Sequence, residues 1–224
     1  MRPVLVLTAI DLEARGLARH LALPRVPASD FPHFAAGALE IACVGLRAGH
    51  LARAARCRPP SLVVSAGTCG ALAPSLAAGD LVVPETVLGP GGARYATAPL
   101  PGNPAAGTLI TVADVLHSGA QKTRLWMESG ALAVDMESAV ILAWAQARGV
   151  MGGVVRAVSD TSERGVPADL AAVVADDGRV RTLRAVSAVL ARPRAAADAM
   201  ALRTTTNAAL KVIAQALGRI VRIQ

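Results

Sequence analysis

Three carboxylate positions stand where apolar runs end. Ala131-Leu132-Ala133-Val134-Asp135-Met136-Glu137-Ser138 reads as a buried strand that runs into a helix, with two acids and a methionine at the junction. Val154-Val155-Arg156-Ala157-Val158-Ser159-Asp160 is a second apolar strand with a polar exit. Pro3 to Thr8 is a third, followed by Asp11 and Glu13. In open α/β sheets ligands collect beyond the carboxyl ends of strands, so acids placed there face a pocket more often than bulk water. Carboxylates in such positions give or take protons and grip hydroxyl groups. Each also has a plainer role. Asp11 suits a helix N-terminus, Asp160 an N-cap, and Met136 a core.

Between these exits lies Gly67-Thr68-Cys69-Gly70-Ala71-Leu72, which reads as a Gly-rich turn after a strand at 61–66. Its glycines permit close backbone approach to a ligand. The spacing is neither a Walker loop nor a dinucleotide fingerprint, so no triphosphate or NAD site follows. Arg47 and His50 sit in a turn after the strand 39–44 and could meet an anion or simply be solvated. Cys43, Cys57 and Cys69 show no metal-ligand spacing, so no metal is expected.

The elements that must hold these residues alternate. The pattern predicts strands at 3–8, 39–44, 61–66, 80–84, 109–112 and 131–135, and one ending at Asp160. Helices are predicted over 11–20 and 139–148, with helix and turn mixed over 117–130. Residues 88–107 form the longest loop-like segment, of the kind that serves as a lid or binding loop. Two helices are expected in the tail, at about 179–190 and 193–221, the second carrying an apolar stripe of Leu210, Ile213, Leu217 and Ile220. Strands alternating with helices imply an α/β layered fold with a largely parallel sheet. No repeat or second domain is visible, so residues 1–224 read as one domain with a basic helical tail from about 179 to 224.

Composition sets further bounds. Hydrophobic residues make up 53% of the 224 residues but aromatics only 2%, so the core must be Ala, Val and Leu. The uncharged run from Pro59 to Gly79 is broken by Pro and Gly, which argues against a membrane span. The absence of a signal-like N-terminus and the odd cysteine count suggest a reduced, cytoplasmic protein. The net charge of +7 is concentrated at the end. Residues 179–224 carry nine Arg or Lys against one acid, Asp198, while the rest of the chain has 14 basic and 15 acidic residues. A solvated helix face accounts for this, and peripheral contact with an anionic membrane is the sharper alternative. Nucleic acid is not expected, since basic and aromatic residues do not interleave.

Three motifs in order resemble the purine nucleoside phosphorylase superfamily. Ser65-Ala66-Gly67-Thr68-Cys69-Gly70-Ala71-Leu72-Ala73-Pro74, with Gly79-Asp80-Leu81-Val82-Val83 after it, resembles the family's Gly-rich segment and next strand. Val134-Asp135-Met136-Glu137-Ser138-Ala139 is similar to its sugar-binding motif, and Arg156-Ala157-Val158-Ser159-Asp160 to its base-binding motif. Within the superfamily the chain is most similar to methylthioadenosine/adenosylhomocysteine nucleosidases. The Asp-Met-Glu-Ser variant and the Arg-rich tail also resemble hopanoid-associated nucleoside phosphorylases.

The resemblance implies a three-layer αβα fold with a mixed, largely parallel sheet, assembly into homo-oligomers, and cleavage of the N-glycosidic bond of a small purine nucleoside. It implies no cofactor, only inorganic phosphate as co-substrate if the enzyme is a phosphorylase. Asp160 corresponds to the general acid for purine N7, oriented by Ser159. An Asp here rather than Asn points to a 6-amino purine. Glu137 would hold the ribose hydroxyls over Met136. Val115 and Leu116 would supply backbone contacts to the base, with Val115 where the nucleosidases often have a stacking aromatic. Glu13 corresponds to the glutamate that activates water, and Thr68 to the hydroxyl that holds the nucleophile. The arginine that hexameric phosphorylases carry three residues before that hydroxyl is Ser65 here, which leaves Arg47 as the candidate phosphate ligand beside Thr68.

The leading expectation is therefore an adenine-releasing hydrolase. The alternative is phosphorolysis of an adenosyl lipid such as adenosylhopane, which a membrane-seeking tail would suit. A non-catalytic nucleoside-binding protein is the third.

Overall fold

The computed structural model describes residues 3–163, 175–179 and 195–223, the last segment by its backbone alone over 195–205 and at 223. Ten strands form one sheet. They are β1 (Val4–Thr8), β2 (His33–Ala36), β3 (Leu39–Cys43), β4 (Leu62–Ala71), β5 (Leu81–Val82), β6 (Thr86–Leu88), β7 (Arg94–Ala96), β8 (Thr108–Thr111), β9 (Ala133–Asp135) and β10 (Met151–Asp160). The helices are α1 (Asp11–His20), α2 (Gly119–Ser129), α3 (Ser138–Gln146) and α4 (Ala195–Ile223).

The sheet runs β2-β3-β1-β4-β9-β8-β6-β7, and β10 pairs with both β4 and β5. Parallel pairings join β1 to β3 and β4, β4 to β10, and β8 to β6 and β9. Antiparallel ones join β2 to β3, β5 to β10, β4 to β9 and β6 to β7. The sheet is thus mixed with a parallel centre, as expected.

Alternation along the central strands assigns the layers, since successive side chains leave opposite faces. Val4, Val6, Leu62, Val64, Val155 and Ala157 pack with Leu17 of α1 and with Leu210, Ile213, Leu217 and Ile220 of α4. Leu5, Leu7 and Val63 pack with Ile141 and Ala145 of α3 on the other side. The stripe expected in the tail is therefore core. Leu210 is 2% exposed, and the other three are fully buried. No helix of the described residues is long and apolar enough to cross a membrane. The expected helix at 179–190 lies outside the described residues, apart from Arg179.

Two expectations are corrected. The Gly-rich segment is not a turn: β4 runs unbroken from Leu62 to Ala71, paired with β10 along its length and with β9 at Gly70 and Ala71. Small residues hide the period-2 signal, but the ladder hydrogen bonds of two neighbours hold it extended. The loop 88–107 is not structureless either. Arg94–Ala96 folds back onto Thr86–Leu88 as an antiparallel pair.

Candidate active site

Glu13 occupies the first turn of α1 and is 3% exposed. Its Oε1 accepts hydrogen bonds from the Thr68 N–H at 2.8 Å and the Thr68 hydroxyl at 3.0 Å. α1 begins directly after β1, so the sequence carries this carboxylate to the carboxyl end of the sheet beside the middle of β4.

Arg156 enters from β10 and is 1% exposed. Its Nη2 lies 2.6 Å from Asp135 Oδ2 and 3.8 Å from Glu137 Oε2. The same nitrogen contacts the hydroxyls of Ser65, at 2.8 Å, and Ser138, at 3.2 Å. To make these contacts the side chain must cross β4, and it crosses at Gly67, the residue paired with Arg156 in the sheet. A Cβ at Gly67 would stand 2.7 Å from Arg156 Nη1 and 2.7 Å from Glu13 Oε1. The glycine is the gap through which the guanidinium reaches Asp135 and Glu137, with Glu13 within electrostatic reach.

Asp135 is fixed from several sides. Thr111 donates its hydroxyl to Oδ1 at 2.7 Å, and the Ser138 N–H donates to Oδ2 at 3.1 Å. Glu137 sits at the entry to α3, 5% exposed, and accepts from the Arg47 N–H at 3.0 Å. Burial pushes its carboxyl up to about 7; Arg156 pulls against that, while Asp135 and Glu13 add to it. Met136 between them is half-buried.

The base-side residues form a second group. Asp160 ends β10. Its Oδ1 lies 2.7 Å from the Ser159 hydroxyl, which is also 3.2 Å from the Cys69 carbonyl. Its Oδ2 is ion-paired with Lys122 of α2, which is 1% exposed. The sequence reading gives Asp160 only Ser159 as a partner; Lys122 is a second one. The Lys122 ammonium also donates to the Thr161 carbonyl at 2.7 Å. Gly70 leaves the room: a Cβ there would lie 3.0 Å from Asp160 Oδ2 and 3.3 Å from Lys122 Nζ. The buried Cys69 thiol, pushed up by burial, feels Arg156, Asp135, Asp160 and Lys122 at once, so the two groups adjoin across β4.

Val115 and Leu116 lie between β8 and α2, both half-buried. Leu116 packs against the apolar patch of Leu72, Ala131 and Val134. Arg47 approaches Glu137 only through its backbone. Its guanidinium donates to the Ala113 carbonyl at 2.6 Å, lies 3.7 Å from Asp114 and is about half exposed. Its φ of 52° is left-handed, a strained conformation for a non-glycine residue.

Arg156, Asp135 and Lys122 carry much of this geometry, yet no role was read for them in the sequence. Signals existed. Arg156 interrupts an otherwise apolar central strand, where a charge must be paired. Lys122 falls on the helical stripe of Leu125, Trp126 and Ser129, at the spacing of one face.

One cluster elsewhere has metal-ligand chemistry. The donor atoms of His33, Glu40 and Cys57 lie within 4.8 Å of one another. Glu40, however, is already ion-paired with His33 at 2.6 Å and with Arg58 at 2.9 Å. The Cys57 thiol is pushed up to about 12, first by burial and then by Glu40. It is a satisfied ionic cluster on β2 and β3, away from the strand exits.

The architecture, a mixed sheet between helices, is that of the phosphorylase and nucleosidase fold. A family model described as Phosphorylase superfamily matches residues 101–191, which include the Glu137 and Asp160 motifs. The resemblance carried by those motifs is thus borne out. No curated protein matches the chain. Among solved structures, the chain is similar to a mutant of the Helicobacter pylori methylthioadenosine/adenosylhomocysteine nucleosidase with 5′-methylthioadenosine in its active site. The identity is 15%, each chain is covered completely, and the TM-score is 0.69. The Arabidopsis thaliana 5′-methylthioadenosine nucleosidase gives 17% identity, 98% coverage of this chain and 96% of that one, and a TM-score of 0.71. Futalosine hydrolase of Helicobacter pylori gives 15%, 100% and 98%, and 0.68.

Proposed function

We propose that the protein hydrolyses the N-glycosidic bond of an adenine nucleoside of the methylthioadenosine or adenosylhomocysteine type. Cleavage builds positive charge on the ribose and negative charge on the departing purine, so a catalyst must offer groups strongest toward both. Glu137 and Met136 take the sugar, Asp160 with Ser159 the purine, and Val115 and Leu116 the base through their backbone.

The observation that favours water over phosphate is the charge balance beside Thr68. Glu13, Asp135 and Glu137 surround a single guanidinium, Arg156, whose charge Asp135 already meets at 2.6 Å. A phosphate dianion placed here would face surplus negative charge, whereas a water molecule meets a carboxylate base in Glu13. Arg47, the candidate phosphate ligand, is engaged with Ala113 and Asp114.

The experiment is adenine release from methylthioadenosine, adenosylhomocysteine and adenosine, with and without phosphate. Release independent of phosphate is expected. Glu13→Gln should lower it by about 10²–10⁴-fold, the usual worth of a positioned base. Release only with phosphate, yielding ribose 1-phosphate, would replace hydrolysis by phosphorolysis. Unchanged release by Glu13→Gln would remove the base from the mechanism.

A further inference from the structure

Lys122 is the largest investment of this fold in a charge that the reading above leaves unused. It is the one buried residue of α2. It lies on the stripe where helix and sheet would be served by an apolar side chain, and among the described residues its carboxylate partner is Asp160. Taking an ammonium out of water costs several kcal/mol unless it is paired and hydrogen-bonded. Here the Asp160 carboxylate and the Thr161 carbonyl accept from it. A side chain at Gly70 would crowd the pair.

Resting on that reading, in which Asp160 faces the purine, we propose that Lys122 and Asp160 act as one unit holding a single transferable proton. Lys122 is the store and Asp160 the group that delivers it to purine N7. Nζ donates to the Asp160 carboxylate, so a proton can pass along that hydrogen bond. At rest Nζ carries three protons and Asp160 none. As the C1′–N9 bond breaks, its electron pair passes to the purine. A proton moves from Nζ to the carboxylate and from the carboxyl to N7. Asp160 is left as a carboxylate and Lys122 as an amine. Water attacks C1′ and gives its proton to Glu13, and exchange with solvent restores both Glu13 and Lys122. One water is consumed for each free purine and ribose formed.

A strut that only ties α2 to the end of β10 would show the same contacts, so the test separates the two roles. Lys122→Arg keeps a cation and its hydrogen bonds but cannot release a proton. Lys122→Met keeps the length without the charge. With adenine release as the readout, both variants should lose about 100-fold or more in kcat with little change in KM. Cys69 of β4, which lies within electrostatic reach of the pair and also of Arg156 of β10 and Asp135 of β9, is unaltered in both variants. Thermal melts confirm folding. Wild-type protein supplies a measurement that needs no variant, since the pair should keep kcat high well above the carboxylic acid range. Lys122→Arg with the parent kcat and pH profile overturns the proposal, as does a wild-type kcat that falls through the carboxylic range. Wild-type protein that releases no purine would instead sink the proposed function, and this unit with it.

Discussion

Glu137 makes the clearest prediction at the scale of a single residue. Its buried carboxyl is pushed up to about 7 from an ordinary 4.5, so the folded state holds the proton more tightly than the unfolded chain does. Two consequences have opposite signs. Between about pH 4.5 and 7 the protein should lose stability as pH rises, because the fold must then carry the buried charge. Over the same rise, kcat/KM should climb as the carboxylate forms, if it accepts the ribose hydroxyls as proposed. Glu137→Gln should flatten both curves, and thermal melts and initial rates taken across pH 5–8 would show it. A kcat/KM that stays level through pH 7 in the wild type would remove Glu137 from sugar binding. Arg156 predicts the reverse kind of failure. Arg156→Met leaves Asp135, Glu137 and Glu13 facing one another without a cation. Breaking such a buried pair costs about 3–5 kcal/mol, and denaturant titration would measure it. Arg156→Lys should recover only part, because one ammonium cannot reproduce the fork in which Nη2 meets Asp135 and the two serines while Nη1 reaches the Thr68 carbonyl.

At the scale of the element, β4 decides what the site is. Its sequence was legible only in its first half. Leu62 to Ala66 reads as a strand because its residues are apolar, but Gly67 to Ala71 offers no alternation and reads as a turn. What makes it a strand lies elsewhere in the chain, in the pairing with β10 and β9. The glycines matter for what crosses the strand, Arg156 at Gly67 and the Lys122–Asp160 pair at Gly70. Gly67→Ala should therefore lower kcat by about ten-fold or more, as even an ångström of misplacement in catalytic groups is costly, while leaving the protein folded. A parent-like kcat in this variant would mean that Glu13 and Arg156 have room to move. By contrast, α1 was legible over its full span Asp11–His20, since acids in its first turn and an apolar face are written locally. The acids of the site were legible for a similar reason, standing at strand exits. Their partners Arg156 and Lys122 were visible as charges in apolar surroundings, but which acid each would meet depends on strand order, which no local pattern contains.

For the whole molecule, the open question in the sequence was the basic tail. Its charge reads as a solvated helix face, with contact to an anionic membrane as the alternative. Burial of Leu210, Ile213, Leu217 and Ile220 against α1, β1, β4 and β10 gives the stripe to the core. Close approach supports this: a Cβ at Gly16 of α1 would lie 2.5 Å from Leu210. Arg219, one of the tail cations, is turned to Asn103 Oδ1 at 2.8 Å and so ties α4 to the segment before β8. Among the described side chains of this helix, the other cations, Lys211 and Arg222, are exposed. Leu217→Ala should cost about 2–5 kcal/mol, the range for a buried leucine whose surroundings relax only partly. Removal of residues 203–224 should abolish the cooperative melt, because it takes most of α4 from the face of the sheet that α4 shares with α1. Charge reversal at Lys211 and Arg222 tests the other role without touching the core. If binding to anionic vesicles falls while the melt is unchanged, the exposed face of α4 is a membrane contact laid over a structural helix. If truncation leaves a soluble protein with a parent-like melt, this part of α4 is dispensable and the packing described for α4 carries no stability.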